Sequence, residues 1–184
     1  FLGIIIQVQD VSMRRLYRSC LFAPADRPEV LAKAFRLACD VVVLDLEDAV
    51  SPTRKEESRG VLLDALKSRD QLLKTNPKYS RQRVIARVNC PHTSDWGRDD
   101  LRLVSEELSQ FIDALVLPKV DSMDALSGSL GILKGNDAQS LPIWAMIESA
   151  AGFFAAEAVA RHDQCEALVF GSNDMTKDIK GQHT

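Results

Sequence analysis

The sequence has no basic excess, no membrane-length apolar run and no paired-cysteine motif, and each absence removes a class of function. Lys and Arg number 23 against 26 Asp and Glu, a formal net charge of −3. Nucleic-acid phosphates call for a basic face, so no nucleic-acid partner is expected, and any anionic ligand has to be met by local positive charge. The opening FLGIII run is far shorter than a bilayer span and lacks the basic leader and cleavage site of a signal peptide, so neither membrane insertion nor secretion is expected. Cys20, Cys39, Cys90 and Cys165 form no CxxC pair and stand near no histidine at zinc-finger spacing. They read as reduced thiols of an intracellular protein, cytoplasmic or mitochondrial. No low-complexity stretch or internal linker interrupts the chain.

What is there suits one globular domain: 46% hydrophobic and 27% charged residues, enough apolar surface to offset the entropy of ordering. Met13, followed by Arg14, Arg15 and Arg18, reads as the true start, leaving residues 1–12 as upstream sequence, tag or a fragment of a targeting arm. Residues 1–13 are then an N-terminal extension outside the fold, with a short presequence as the other reading, and 14–184 are the domain.

Apolar, β-branched-rich runs alternate with stretches of helical period, the signature of repeated βα units and a parallel sheet. Six strands are expected: Ser19–Pro24, Val41–Ala49, Val84–Asn89, Ala114–Val120, Pro142–Ser149 and Ala167–Gly171. Each is nearly continuous in apolar residues, as a strand covered on both faces should be. Asp26 with Glu29 suggests a capping box before a helix with Pro28 in its first turn. A second helix is expected from Pro52 to about Lys67. Leu101, Val104, Leu108 and Phe111 stripe a third. The Gly128 to Ser140 stretch reads as a helix end and loop.

In parallel β/α folds, ligand groups collect at the C-terminal strand ends, where the loops vary while the strands hold them rigidly. Those ends carry Asp26 and Arg27, then Asp45, Glu47 and Asp48, then Arg87 and Asn89, Lys119, Glu148, and Asn173 with Asp174. Three acids in four residues after an apolar strand need positive partners, from Arg54, Arg87, Lys119 or a divalent metal. Either Asp45, Glu47 and Asp48 cap the following helix and pair with the fold's own cations, or they face a ligand. Glu148 and Asp174 leave neighbouring strands and could converge on one hard cation such as Mg²⁺. Taken alone, they read more readily as ordinary polar loop residues.

The blocks RSCLFAPADRPEVLAKA, ACDVVVLDLEDAVSPTRKEESR, ARVNCPHTSDWGRDDL, DALVLPKVDSMDAL, IWAMIESAAGFFAA and ALVFGSNDMTKDI, in this order and spacing, resemble the citrate lyase β-subunit-like family of the HpcH/HpaI aldolase superfamily. The resemblance covers about Leu16 to Ile179. It implies a TIM (β/α)8 barrel of the phosphoenolpyruvate/pyruvate-binding type, of which about six βα units are present. It also implies Mg²⁺-dependent, reversible cleavage of a 3-hydroxyacyl-CoA thioester into a 2-oxo acid and an acyl-CoA, of malyl-, citramalyl- or citryl-CoA type. Carried across block by block, the metal ligands fall on Glu148 and Asp174 and the substrate-carboxylate arginine on Arg87. Glu47 and Asp48 sit beside the metal in a catalytic role, Lys119 lines the same mouth, and Arg18 and Arg27 are candidates for the CoA phosphates. A homo-oligomer, a trimer or a multiple of one, is implied as well.

The family continues through two further βα units and a C-terminal segment that often supplies the acid/base. The chain stops at Thr184, and KDIKGQHT departs from the family's glycine-rich loop at Lys180. The expectation is an open barrel, with a truncated, non-catalytic paralogue that keeps the pocket as the alternative to an enzyme. The pyruvate-aldolase branch of the superfamily uses a histidine near the metal, and His92, His162 and His183 do not fall at the corresponding strand end.

Overall fold

The computed structural model describes residues 5–7, 17–76 and 82–182; Met13, Arg14, Arg15 and His183 lie outside them. Six parallel strands follow one another across a single sheet: β2 (Cys20–Pro24), β3 (Val41–Asp45), β4 (Arg83–Arg87), β5 (Ala114–Leu117), β6 (Ile143–Ile147) and β7 (Cys165–Phe170). Between them run α1 (Pro28–Ala34), α2 (Lys55–Thr75), α3 (Asp95–Leu103), the pair α4 (Met123–Leu130) and α5 (Asn136–Gln139), and α6 (Ala150–Ala160). α7 (Ser172–Asp178) follows β7. The α/β class and the presence of six strands are as the sequence indicates, but β3 to β7 each stop one to four residues short of the expected ends, β3 at Asp45 and not Ala49. Neighbouring strands are hydrogen-bonded from β2 to β7 without β2 and β7 meeting, so the sheet is not closed among the described residues.

A seventh strand was not foreseen. β1 (Ile5–Gln7) pairs antiparallel with β7, Ile5 opposite Val169. It falls within residues 1–13, which the sequence assigns no element, because three residues are too few to register as a period.

The sheet is apolar on both faces, and the side-chain alternation of period two separates them. Val42, Leu44, Val84, Ala86, Leu115 and Ala145 face the helices and pack with Leu31, Leu62, Leu66, Leu101 and Leu126. Val41, Val43, Ile85, Val116, Trp144 and Met146 form a second cluster on the other face, which bears no helix among the described residues. The near-continuous hydrophobic strands of the sequence are explained by this double burial.

Helix starts follow serine chemistry. The side chains of Ser94, Ser122 and Ser149 accept hydrogen bonds from the backbone N–H three residues on, capping α3, α4 and α6. The capping box expected at Asp26 is absent: the N-cap of α1 is Arg27, without a side-chain cap bond. Asp26 instead accepts from Arg54 Nη1 at 2.9 Å, because a guanidinium reaching across from the next βα unit outcompetes a local N–H. The second helix also runs further than expected. Pro52–Arg54 make a 3₁₀ turn, and α2 continues past Lys67 to Thr75, since nothing in SRDQLLKT breaks it. It ends where Asn76, pushed to extended angles ahead of Pro77, cannot continue the helix.

Candidate active site at the C-terminal strand ends

The helix-free face ends in charge. Along β3 the row Val41, Val43 runs on to Asp45, and along β4 Ile85 runs on to Arg87; both charged residues are buried. The register places Asp45 opposite Arg87. The two side chains form a forked pair: Arg87 Nε donates to Asp45 Oδ1 at 2.8 Å and Nη2 to Oδ2 at 2.5 Å. Nη1 makes longer contacts: it lies 3.2 Å from Glu47 Oε2 and donates to Asp48 Oδ2 at 3.4 Å and to Met146 Sδ at 3.8 Å. Phe22 lies beneath, its ring centroid 5.3 Å from the guanidinium carbon. Burial works against the charge on Arg87, but the bond to Asp45 and the surrounding acids outweigh it and hold the guanidinium above its ordinary pKa.

Asp45 also turns the chain, accepting backbone N–H groups of Glu47 at 2.9 Å and Ala49 at 3.3 Å. Of the two readings of the acid run, pairing with the fold's own cation holds for Asp45; its backbone bonds close a turn and do not cap the following helix, whose N-caps Ser51 and Arg54 have no side-chain cap bond. The loop that carries Glu47 is fastened from outside: the buried Lys55 ammonium donates to the carbonyls of Leu46 (2.7 Å) and Glu47 (2.6 Å), and Asn89 Nδ2 donates to Leu46 O at 3.0 Å.

Glu47 Oε2 is buried without a hydrogen bond, its contact with Arg87 being close enough for ion pairing but poorly aligned. Burial pushes its carboxyl up to about 8; Arg87 pulls the other way, and Asp48 and Glu148 push further up. Burial also raises the Glu148 carboxyl, against one stabilising bond from Lys119 N–H to Oε1 at 2.8 Å. Glu148, Asp174 and Asp48 line one crevice with Phe22, Met146 and Gly171. Asp174, in the first turn of α7, has its carboxyl held down by Lys177, 2.7 Å away, with Lys119 Nζ at 3.7 Å from the other oxygen.

Glu47, Asp48, Arg87, Lys119, Glu148 and Asp174 thus lie at the same end of the sheet. Arg27 is at this end too, exposed as the N-cap of α1. Arg18 is a correction. It precedes β2 and binds Asp40, which precedes β3, through Nη2–Oδ1 at 2.9 Å. It therefore stands at the N-terminal strand ends, a strand length or roughly 17 Å from the mouth, and cannot share it. His92 is engaged elsewhere, Nε2 lying 2.6 Å from Ala125 O and 3.0 Å from Ser129 Oγ. His162, just after α6, sits at the N-terminal end of β7, its Nδ1 taking the N–H of Gln164.

Two residues escaped the sequence reading. Asp45 was grouped with Glu47 and Asp48 against several possible cations and not singled out for Arg87, although the parity of the Val41, Val43, Asp45 row carries that signal. Gly171 is the other: a Cβ there would lie 2.6 Å from Glu148 Cβ and 2.8 Å from its Oε2, so only glycine lets Glu148 lie where it does.

Among the described residues, no group of three or more His, Cys, Asp or Glu side chains is arranged to hold a metal ion. The donor set is two carboxylates, Glu148 and Asp174. That set fits Mg²⁺, which takes one or two protein carboxylates and completes its shell with water and substrate oxygens. Glu47 Oε2, buried at the same strand ends without a hydrogen bond, is the orphaned polar atom that an ion there would offset.

The family model described as HpcH/HpaI aldolase/citrate lyase matches residues 18–184. A (3S)-malyl-CoA thioesterase of Cereibacter sphaeroides is 33% identical over 167 residues, covering 91% of this chain and 53% of that protein. An L-malyl-CoA/beta-methylmalyl-CoA lyase of Rhodobacter capsulatus is 31% identical over 180 residues, covering 94% and 54%. Among solved structures, the citrate lyase beta subunit of M. tuberculosis complexed with oxaloacetate and magnesium superposes with a TM-score of 0.65 at 29% identity, covering 89% of this chain and 62% of that one. The chain spans about half the length of the curated relatives it matches.

Proposed function

This chain belongs to the HpcH/HpaI aldolase/citrate lyase family, and from that premise we propose that it forms the Mg²⁺ and 2-oxo-acid site of a carbon–carbon lyase acting on 3-hydroxyacyl-CoA thioesters. The observation that carries this reading is Arg87, fixed by Asp45 through two of its nitrogens while Nη1 keeps only long contacts, beside the crevice that holds Glu148 and Asp174. Support also comes from relatives named for malyl-CoA chemistry and from a neighbour crystallised with oxaloacetate and magnesium.

Glu148 and Asp174 would hold the ion. When bound, Mg²⁺ supplies a Lewis acid that polarises the carbonyl of the 2-oxo acid and stabilises the alkoxide of the hydroxyacyl form. Arg87 binds the substrate carboxylate through Nη1. Asp48, whose side chain is exposed, swings aside to free that nitrogen, while Asp45 keeps the guanidinium plane fixed. Lys55 and Asn89 prevent the Glu47 loop from moving with it. In the cleavage direction the bond between the hydroxyl-bearing carbon and the thioester α-carbon breaks. The hydroxyl proton leaves, the carbonyl forms, and the electron pair stays on the acyl thioester as an enolate that then takes up a proton.

The test is product analysis. Malyl-CoA and citramalyl-CoA are incubated with the chain and Mg²⁺, and the products are separated chromatographically. An acyl-CoA with a 2-oxo acid supports the lyase. Free CoA with the intact hydroxy acid assigns thioester hydrolysis, the activity in the name of the C. sphaeroides relative. No turnover, with 2-oxo-acid binding retained, assigns the non-catalytic alternative.

A further inference from the structure

Lys119 does two things that no neighbouring residue does. Its backbone is in the left-handed region, φ 52°, one of two described non-glycine residues with positive φ. Such a conformation is strained for a side-chain-bearing residue and persists where the surroundings over-determine it. Here it follows β5 and aims the Lys119 N–H at Glu148 Oε1, at 2.8 Å. The side chain of the same residue carries its ammonium to 3.7 Å from Asp174 Oδ2. One residue thus touches both carboxylates of the proposed ion site, the first through its main chain and the second through its charge.

The ammonium is set in a field of acids. Glu47, Asp174, Glu148 and Asp48 all act on it and favour its charged form, against a burial that disfavours it. The only other cation bonded to Asp174 among the described residues is Lys177, on the same helix and largely exposed. A monovalent cation on a flexible four-carbon stem, close to one carboxylate ligand and among the other acids, occupies the electrostatic place of a divalent ion without coordinating as one does.

We propose that Lys119 is a positioning residue that works as a resident counter-ion. Its main chain fixes Glu148 permanently. Its ammonium holds Asp174 in the metal-free chain and is released when a divalent cation takes that carboxylate, turning to an anionic group of the substrate. The inference rests on the ion site of the proposed function and adds an exchange step to it. Lys177 supplies the comparison, because it meets the same carboxylate without the bond to Glu148 that Lys119 makes.

Calorimetric titration of Mg²⁺, followed by oxaloacetate, into the wild-type chain and into Lys119→Met, Lys119→Gly and Lys177→Met tests it. Circular dichroism checks that each variant is folded. Lys119→Gly keeps the left-handed backbone and its N–H while removing the ammonium, so it guards against misfolding of the methionine variant. Both Lys119 variants should bind Mg²⁺ several-fold more tightly, with a competing cation gone. They should bind oxaloacetate to the Mg²⁺-loaded chain about tenfold more weakly, the worth of one charge-assisted contact. Lys177→Met should tighten Mg²⁺ and leave oxaloacetate unchanged. Unchanged Mg²⁺ affinity in both folded Lys119 variants, or an oxaloacetate loss equal in Lys177→Met, overturns the exchange while the ion site stands. A folded wild type that takes up no Mg²⁺ overturns the ion site and the exchange with it.

Discussion

At the scale of single residues, the site rests on a buried charge pair whose partners are not interchangeable. Removing one member of such a pair leaves the other buried without compensation. Asp45→Ala is therefore expected to destabilise the chain by about 3 kcal/mol, read as a lower urea midpoint at pH 7. Glu47 works in the opposite sense. Its folded-state carboxyl is raised from 4.5 to about 8, so the stability it contributes is complete below pH 4.5 and is lost as pH rises through about 8. The metal-free chain should lose stability across that window, and Glu47→Gln should flatten the loss and be the more stable protein at pH 8.5. Thermal melts across pH 5 to 8.5 check this; parallel curves for the two proteins would contradict it. Much of the residue-level site was legible, because strand-end position alone selects Arg87, Lys119, Glu148 and Asp174. Arg18 was misplaced for lack of that same rule: it stands before a strand, not after one. The pairing of Arg54 with Asp26 was illegible, because the two are 28 residues apart and either acid of the local sequence, Asp26 or Glu29, could be read as a cap.

At the scale of elements, the strands were legible because burial on both faces writes them as unbroken apolar runs, whereas helix ends depend on caps and prolines that compete locally. The turn from β7 into α7 shows what a pattern cannot reveal. Gly171 has no apolar period to signal it, and its role appears only when Glu148 of the adjacent strand end is packed against it. Gly171→Ala should push the Glu148 carboxylate away from the crevice. The expected result is a loss of Mg²⁺ affinity of tenfold or more with helix content preserved, measured by calorimetry alongside circular dichroism. Wild-type affinity in this variant would show that Glu148 does not need its present position. The open side of β7 is partly paired by β1, a contact of three residues that no sequence period could announce.

At the scale of the whole molecule, six βα strands and their helices deliver charged side chains from separate loops to one end of a sheet. The chain matches its relatives along nearly its whole length while spanning about half of theirs. What this part of the fold offers is therefore binding, through the proposed two-carboxylate ion site beside the Arg87 guanidinium. The most direct measurement is titration of oxaloacetate into the chain with and without Mg²⁺, repeated on Glu148→Ala. The account predicts binding that requires Mg²⁺ and disappears in the variant. Mg²⁺-independent binding, or binding that survives Glu148→Ala, would contradict it.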